Sequence, residues 1–309
     1  MSATRPIMER PLILHMFTPG AQMSPFDVNM AADAGYQIVT PYCHVALEAV
    51  AGLTQDAIFS RGPKGVARTG IFIGGRDVML AADMLECARK AMVPPFVVSV
   101  FADPSGAFTT AAALVACVEA ALRRQGATGL AGRRVLLHGG TGPVGRIAAV
   151  LCAQGGATAV IASHKGRAAA ASAARETGER FGVALEAGSS ASREDLRAAL
   201  AEAEVVLGVA AAGVEVMSAE DRAAAPRLAV AADVNAVPPA GLAGVGVMDD
   251  AKPIAGTGVL GIGALAIGNV KYQVQHRLLV RMCEGKAQTI SFAEAFAVAR
   301  EVLAGDAKS

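Results

Sequence analysis

The chain has 309 residues, of which 53% are hydrophobic and 18% are charged, and its net charge is +1. This length is enough for two domains with hydrophobic cores, and the composition excludes a disordered protein. The balanced charge excludes the basic excess of a nucleic-acid-binding protein. The apolar stretch 12–17 is too short for a membrane span or a signal sequence. We therefore expect a cytoplasmic protein with no nucleic-acid partner and no membrane partner.

Cysteine and histidine are scattered along the chain, five of each. There is no C-x-x-C pair, no H-E-x-x-H motif and no mixed Cys/His cluster, which are the usual patterns of a zinc site. We expect reduced thiols and no metal.

Strands and helices alternate four times in the first 125 residues. Ser24, Pro25 and Asp27 are typical of a helix start, with a capping serine, a proline at the first helical position and an early carboxylate. Such alternation predicts a parallel sheet covered by helices, and we interpret the basic segment 61–68 as a surface loop. The predicted strands are 12–17, 37–40, 70–75 and 96–102, and the predicted helices are 24–35, 44–53, 77–92 and 109–125.

Residues 133–167 predict a strand, a glycine turn, a helix and a second strand. Gly140, Gly142 and Gly145 match the pattern G-x-G-x-x-G between the apolar segments 135–137 and 144–154. In a dinucleotide-binding unit the first glycine allows the tight turn, the second lets the backbone approach a pyrophosphate, and the third lets the helix lie close to the strand. The helix N-terminus favours the phosphates. The predicted cofactor-binding residues of the turn are Gly140, Thr141, Gly142, Pro143, Val144 and Gly145.

The sequence after the second strand, 159–161, indicates which dinucleotide is bound. NAD-binding proteins usually have a carboxylate here that accepts a hydrogen bond from the ribose 2′-hydroxyl, whereas this chain has Ser-His-Lys-Gly-Arg. Ser163, Lys165 and Arg167 could hold a 2′-phosphate through charge-assisted hydrogen bonds, and we add His164 to the predicted cofactor site. The alternative is a solvated basic turn. The pattern favours NADP, with NAD as the second choice.

The remaining sequence continues the alternation of strands and helices to about residue 232. Residues 234–263 are rich in glycine and proline, and we expect them to form loops at the carboxyl ends of the strands, where ligands bind in open parallel sheets. Two helices, 263–284 and 292–303, should return to the first domain. We predict an α/β protein of two α/β domains, a substrate domain of residues 1–128 and 266–309 and a Rossmann-type dinucleotide-binding domain of residues 129–265.

Several motifs from both domains resemble the bacterial methylene-tetrahydromethanopterin dehydrogenases of methylotrophs. The resemblance implies reversible oxidation of methylene-tetrahydromethanopterin to the methenyl form, with hydride transfer to NAD(P), in one-carbon (formaldehyde) metabolism. It also implies a homo-oligomer, specifically a trimer. The motifs are SPFD, TQDAIFSRG, FADPSGAFTTAAA, GGTGPVG, DVNAVPPAGLAG and GIGALAIGNVKYQ.

The resemblance also implies a pterin site. Phe26, Thr110 and Lys271 match the family's aromatic, its second threonine and its late lysine. The phenyl ring would stack on the pterin, the hydroxyl would bind its polar edge, and the ammonium would lie near the ring nitrogens. Without the resemblance these would be a core residue, a helix cap and a surface lysine. Gln275 stands where some members have a histidine, and the resemblance assigns that role in the pterin site to Gln275, because His276 is one residue further along the helix and about 100° around it.

Two other functions stay open at this point, a methylene-tetrahydrofolate dehydrogenase and a non-enzymatic NADP-binding redox sensor. A short-chain dehydrogenase would need Tyr-x-x-x-Lys, and no tyrosine of this chain has a lysine four residues later. A zinc-dependent medium-chain dehydrogenase would need cysteine and histidine ligands before the glycine turn, and no suitable array is present.

Overall fold

The computed structural model describes residues 10–306, and the predicted domain ends at 1–9 and 307–309 lie outside them. The strands are β1 (Ile13–Phe17), β2 (Ile38–Tyr42), β3 (Thr69–Ile73), β4 (Ser99–Ala102), β5 (Arg134–His138), β6 (Thr158–Ser163), β7 (Glu186–Ser189), β8 (Val205–Gly208), β9 (Val230–Asp233), β10 (Lys252–Pro253), β11 (Leu260–Ile262) and β12 (Thr289–Ile290). The helices are α1 (Pro25–Asp33), α2 (Val50–Phe59), α3 (Gly62–Val66), α4 (Val78–Ala91), α5 (Ala107–Arg124), α6 (Pro143–Gln154), α7 (Arg167–Phe181), α8 (Arg193–Ala201), α9 (Ala219–Ala223), α10 (Ala264–Met282) and α11 (Phe292–Asp306).

The chain divides into two compact units. The first contains the described residues up to Ser105 together with Gln275–Ser291, and the second contains Gly106–Val274 and the described residues from Phe292 onward. Each unit has its own sheet, so the predicted α/β class with two parallel layers is confirmed.

The sheet of the first unit has the order β12-β4-β3-β1-β2, and its strands are parallel. All five residues of β3 are buried, which suits the central strand of a sheet with both faces covered. Its last strand, β12, comes from the C-terminal part of the chain and bonds to β4, where the Val100 N–H donates to the Gln288 carbonyl over 2.8 Å.

The sheet of the second unit has the order β10-β11-β9-β8-β5-β6-β7, with β10 antiparallel to its neighbour and the other strands parallel. The chain moves outward from β5 to β6 and β7 and then returns through α8 to β8 on the other side of β5. Ligands of open parallel sheets bind at such a reversal of strand order, outside the carboxyl ends of the strands.

The observed division differs from the predicted domain boundaries in α5, in α11 and in residues 266–274 of α10, all of which belong to the second unit. The helices α5 and α11 pack against each other. The Arg300 guanidinium of α11 makes two hydrogen bonds, of 2.7 and 2.8 Å, to the buried Glu119 carboxylate of α5. The second half of α10 and β12 belong to the first unit, whereas α11 does not.

Several local elements also differ from the sequence predictions. The glycine-rich segment 234–263 contains the short strands β10 and β11, because the edge of β9 lends hydrogen-bond partners to residues with little strand propensity of their own. The basic segment 61–68 forms α3 rather than a loop. Ser24 occupies the cap position of α1, but its side chain makes no capping hydrogen bond.

By length and hydropathy α5 could span a bilayer, the one such helix found among the described residues. However, 83% of its apolar window is buried inside the protein. Its apolar character is explained by its position as a core helix of the second unit.

Candidate active site

The glycine turn joins the end of β5 to the start of α6. A Cβ atom on Gly145 would lie 2.5 Å from the Gly140 Cα, and one on Gly140 would lie 2.8 Å from the Leu137 carbonyl oxygen. Neither position has room for a side chain. A Cβ on Gly142 would meet its nearest neighbour, the Gly139 carbonyl oxygen, at an ordinary 3.5 Å. Steric crowding therefore explains the first and third glycines, while the second leaves the backbone open to approach.

A fourth glycine, Gly139, belongs to the same turn although it lies outside the G-x-G-x-x-G pattern. Its φ is +80°, and a Cβ there would lie 2.6 Å from the Cα of Ala210 in the loop after β8. This glycine brings the turn close to the loop after β8, at the point where the strand order reverses.

The first turn of α6 and Arg146 shape the rest of this segment. Pro143 is the first residue of α6, which lacks intrahelical acceptors for its first N–H groups. Val144 follows it on the same turn. The Arg146 guanidinium donates to the Thr141 carbonyl over 3.1 Å and to Glu176 of α7 over 3.2 Å. The arginine thus links the turn to α7.

The predicted 2′-phosphate residues lie between β6 and α7. Ser163 is buried, and its hydroxyl accepts a 3.1 Å hydrogen bond from the Lys165 N–H. His164, Lys165 and Arg167 are exposed. Arg167 also lines a cavity that contains Asp195, so a carboxylate shares its surroundings. One short turn therefore holds three accessible nitrogen-containing side chains, those of His164, Lys165 and Arg167.

A cleft of about 270 Å³ lies at the carboxyl edge of the same sheet. His138, the last residue of β5, and Ser190, just after β7, both line it. The two ring nitrogens of His138 and the Ser190 hydroxyl are buried and have no hydrogen-bond partner among the described residues. Buried polar groups nearly always have one. A polar ligand group in this cleft would supply it.

Burial, together with the neighbouring His164, lowers the pKa of His138 to about 4, although Asp221 acts in the opposite direction. The imidazole is therefore neutral at pH 7, with one nitrogen as a donor and the other as an acceptor. His138 and Ser190 are not among the residues predicted from the sequence. The signal for His138 was a histidine that directly precedes the glycine turn at the end of an apolar strand.

Two buried polar residues hold the loop that follows β9. Asp233 accepts hydrogen bonds from the backbone N–H groups of Asn235 and Leu242, both at 3.0 Å. The Asn235 side chain accepts from Gly213 over 3.0 Å and donates to the Pro239 carbonyl over 2.8 Å. These bonds connect the loops after β8 and β9, so the DVNAVPPAGLAG segment has a structural role at this edge of the sheet.

Two of the predicted pterin residues come together in the second unit. A Cβ atom on Gly106, which has φ of +68°, would lie 3.4 Å from the Lys271 Nζ and 4.0 Å from the Thr110 Oγ1. Thr109 is buried and donates to the Gly106 carbonyl over 3.3 Å, whereas Thr110 is half-buried. The turn before α5 therefore places the Lys271 ammonium and the Thr110 hydroxyl beside one glycine, which leaves them space.

The other two predicted pterin residues belong to the first unit. Phe26 is 47% exposed on α1, so it is not a core residue. Gln275 is fully buried and donates a 2.8 Å hydrogen bond to Asp27. Its amide is thus engaged inside the unit, and it positions α10 against α1. His276 is half-buried on a different side of the helix.

Within residues 10–306 no group of three or more His, Cys, Asp or Glu side chains is arranged to hold a metal ion. The expected absence of a metal stays a prediction. The described residues do fit a dinucleotide, since the glycine turn leaves backbone accessible at a helix N-terminus and the adjacent cleft contains buried polar atoms without partners.

Comparison with known proteins gives consistent similarities. Residues 25–105 match the family model described as methylene-tetrahydromethanopterin dehydrogenase, N-terminal. The chain is 49% identical to the NAD(P)-dependent methylenetetrahydromethanopterin dehydrogenase of Methylorubrum extorquens, over 94% of this chain and 98% of the relative. It is 31% identical to the bifunctional protein MdtA of the same organism, over 94% and 98% of the two chains. Among solved structures, 5-ketofructose reductase of Gluconobacter is similar in fold, with 18% identity, a TM-score of 0.50 and coverage of 95% and 99%.

Proposed function

Because the chain belongs to the NAD(P)-dependent methylenetetrahydromethanopterin dehydrogenase family, we propose that it oxidises methylene-tetrahydromethanopterin reversibly to methenyl-tetrahydromethanopterin. The methylene C–H bond breaks with both of its electrons, and the hydride passes to the nicotinamide of NAD(P). The remaining cation is delocalised over the two flanking nitrogens, so no side chain needs to remove a proton. The reaction belongs to one-carbon (formaldehyde) metabolism.

The geometry of the glycine turn carries the proposal. It is supported by the methylenetetrahydromethanopterin dehydrogenase of Methylorubrum extorquens, which this chain matches over nearly its full length. Gly140, Gly142 and Gly145 leave the backbone accessible at the N-terminus of α6, where N–H groups and the helix dipole favour a pyrophosphate. When bound, NAD(P) supplies the hydride acceptor. The protein supplies position and electrostatics.

We infer that NADP is preferred over NAD. Ser163 begins a turn that contains no carboxylate, and Lys165 and Arg167 extend from it into solvent. A 2′-phosphate would gain charge-assisted hydrogen bonds there, together with His164. Arg167 shares a cavity with the Asp195 carboxylate, which weakens its attraction for a 2′-phosphate. Lys165 does not line this cavity, so the preference for NADP remains.

For the pterin we propose Lys271 and Thr110 as contact residues, because both face the space beside Gly106. The ammonium orients the substrate and adjusts the charge near the methylene carbon, and the hydroxyl binds a polar edge of the ring system. Phe26 belongs to the first unit and has an exposed aromatic face; its stacking on the pterin stays a prediction. Gln275 is a positioning residue, since its side chain bonds to Asp27 rather than projecting from the helix.

The test is steady-state turnover of the purified protein with methylene-tetrahydromethanopterin and methylene-tetrahydrofolate, each with NADP and with NAD, followed by formation of the methenyl product. We expect the highest kcat/KM with tetrahydromethanopterin and NADP. A higher value with tetrahydrofolate would make the protein a methylene-tetrahydrofolate dehydrogenase. NADP binding without turnover of either pterin would make it a redox sensor.

We also propose that the protein works in the cytoplasm as a homo-oligomer. The motifs shared with the family and the exposed apolar side chains of the second unit support an oligomer, and the absence of a large basic excess supports small-molecule substrates alone.

A further inference from the structure

The cleft beside the glycine turn is lined by two residues whose buried polar atoms have no hydrogen-bond partner among the described residues. The His138 side chain is only 6% exposed, and both of its ring nitrogens lack partners among the described residues. The buried hydroxyl of Ser190 lines the same cleft and also lacks one. Leaving such groups unsatisfied costs stability. Their retention is explained if a ligand satisfies them.

The position of His138 in β5 determines which part of a dinucleotide it can reach. Side chains alternate along a strand, so His138 points to the same side of the sheet as Leu136. Leu136 packs in a core cluster with Leu196 and Leu200 of α8. The glycine turn leads away into α6, whose N-terminus is the phosphate-binding end. His138 thus lies across the strand ends from the phosphates, on the α8 side.

The chemistry of the cleft fits a flat heteroaromatic base better than a phosphate. Apolar side chains of Leu196, Val216 and Met217 share its lining with His138 and Ser190. Burial lowers the pKa of His138, so the ring carries no charge to offer a phosphate at neutral pH. Arg193 also reaches the cleft, but its guanidinium is paired with Asp221. The exposed cations for a phosphate lie elsewhere, at Lys165 and Arg167.

We propose that His138 and Ser190 bind the polar edge of the adenine base of NAD(P) and make the protein prefer adenine over a purine that lacks a polar group at C6. This inference rests on the proposed dinucleotide binding. Adenine presents an amino donor beside ring-nitrogen acceptors, and a neutral imidazole with a hydroxyl can match both kinds of group. Contact of the purine with Val214 and Val216, which line the cleft and are not buried, then supplies affinity, while His138 and Ser190 supply the preference for the base.

The experiment is isothermal titration of the full-length protein with NADP and with the analogue in which a hydrogen atom replaces the 6-amino group of the adenine, nicotinamide purine dinucleotide phosphate. The wild type should bind the adenine form about tenfold or more tightly, since one buried hydrogen bond of this kind is worth about that factor. In His138→Leu both ligands should bind within about threefold of each other. Ser190→Ala should show a smaller loss, and His138→Gln, which keeps a donor and an acceptor, should recover part of the selectivity.

His276→Leu is the matched control, because it removes a half-buried imidazole from the first unit, and it should leave both affinities unchanged. Thermal unfolding of the ligand-free protein distinguishes a ligand-binding role of His138 from a structural one. His138→Leu should keep or raise the melting temperature, because it removes an unsatisfied buried polar group. A variant that retains the wild-type preference for adenine, or a wild type with no preference, would overturn the inference and leave NADP binding intact. A wild type that binds neither dinucleotide would instead overturn the proposed function.

Discussion

At the scale of single residues, a substitution of Lys271 tests whether the space beside Gly106 is the substrate site. Its Nζ lies beside Gly106 and near Thr110, where an ammonium can act on a bound pterin. Lys271→Ala should lower kcat/KM for the pterin about a hundredfold or more, the scale of one lost preorganised electrostatic contact. The Kd for NADP should stay unchanged. Lys90→Ala, which removes an exposed lysine from α4, should keep wild-type kinetics; equal kinetics in both variants would show that Lys271 is a surface lysine.

The residues after β6 should determine the choice between the two nucleotides. Lys165→Ala with Arg167→Ala should raise the KM for NADP much more than that for NAD, because each charge-assisted hydrogen bond to the 2′-phosphate is worth roughly 1.5–3 kcal/mol. Steady-state kinetics with both nucleotides measures this difference. If the two KM values rose by the same factor, Lys165 and Arg167 would have no part in reading the phosphate.

His138 should also make stability depend on pH. Its pKa is about 4 in the folded protein, below the 6.5 of an unfolded histidine. The unfolded chain therefore binds the extra proton first. This linkage leaves the free energy of unfolding unchanged above pH 6.5 and lowers it as the pH falls from 6.5 towards 4, by up to about 1.4 kcal/mol per pH unit. The free energy of unfolding, measured by urea titration at several pH values, should fall more steeply for the wild type than for His138→Leu. Parallel pH profiles would count against the prediction.

At the scale of elements, the contact between α6 and the glycine turn depends on Gly145. The Cβ of Gly145→Ala would lie 2.5 Å from the Gly140 Cα, so backbone must move apart. We expect a loss of about 1–3 kcal/mol of stability and weaker NADP binding, measured by thermal unfolding and calorimetry. Gly52→Ala is the control. Gly52 lies on the exposed side of α2 with nothing within 4 Å of a new Cβ, so this variant should be stabilised by roughly 0.5–1 kcal/mol. A fully stable Gly145→Ala protein with normal affinity would contradict the packing argument.

At the scale of the whole molecule, we expect a homotrimer in solution. Met248 is 72% exposed, and Val247 and Leu265 are also exposed. The Leu265 N–H donates to the Val247 carbonyl over 2.8 Å, so the two segments that carry these exposed side chains are adjacent, and we expect them to contribute to the subunit interface. Met248→Glu should shift the protein to smaller species in sedimentation velocity, whereas Ala171→Glu, on the exposed side of α7, should not. A fully active wild-type monomer at micromolar concentration would refute the trimer.

The sequence alone determined the features that depend on neighbouring residues. The β5-α6-β6 unit was predictable because strand, glycine turn and helix follow one another directly, and the crowding at Gly140 and Gly145 is a local consequence of that order. The same holds for the alternation of strands and helices and for family membership, which depends on motifs along the whole chain. The family's threonine and lysine positions, Thr110 and Lys271, are likewise identifiable from the sequence alone.

Only the tertiary structure decided which distant segments meet. Thr110 and Lys271 are brought together at Gly106, and Gln275 is turned inward to Asp27, because helix packing rather than residue type determines which way each side chain points. The strand β12 forms from two residues because β4 offers it an open edge. His138 and Ser190 share a cleft because parallel strands end at the same edge of a sheet. A sequence pattern contains no information about such cross-strand neighbours, since their proximity arises only when the sheet is assembled.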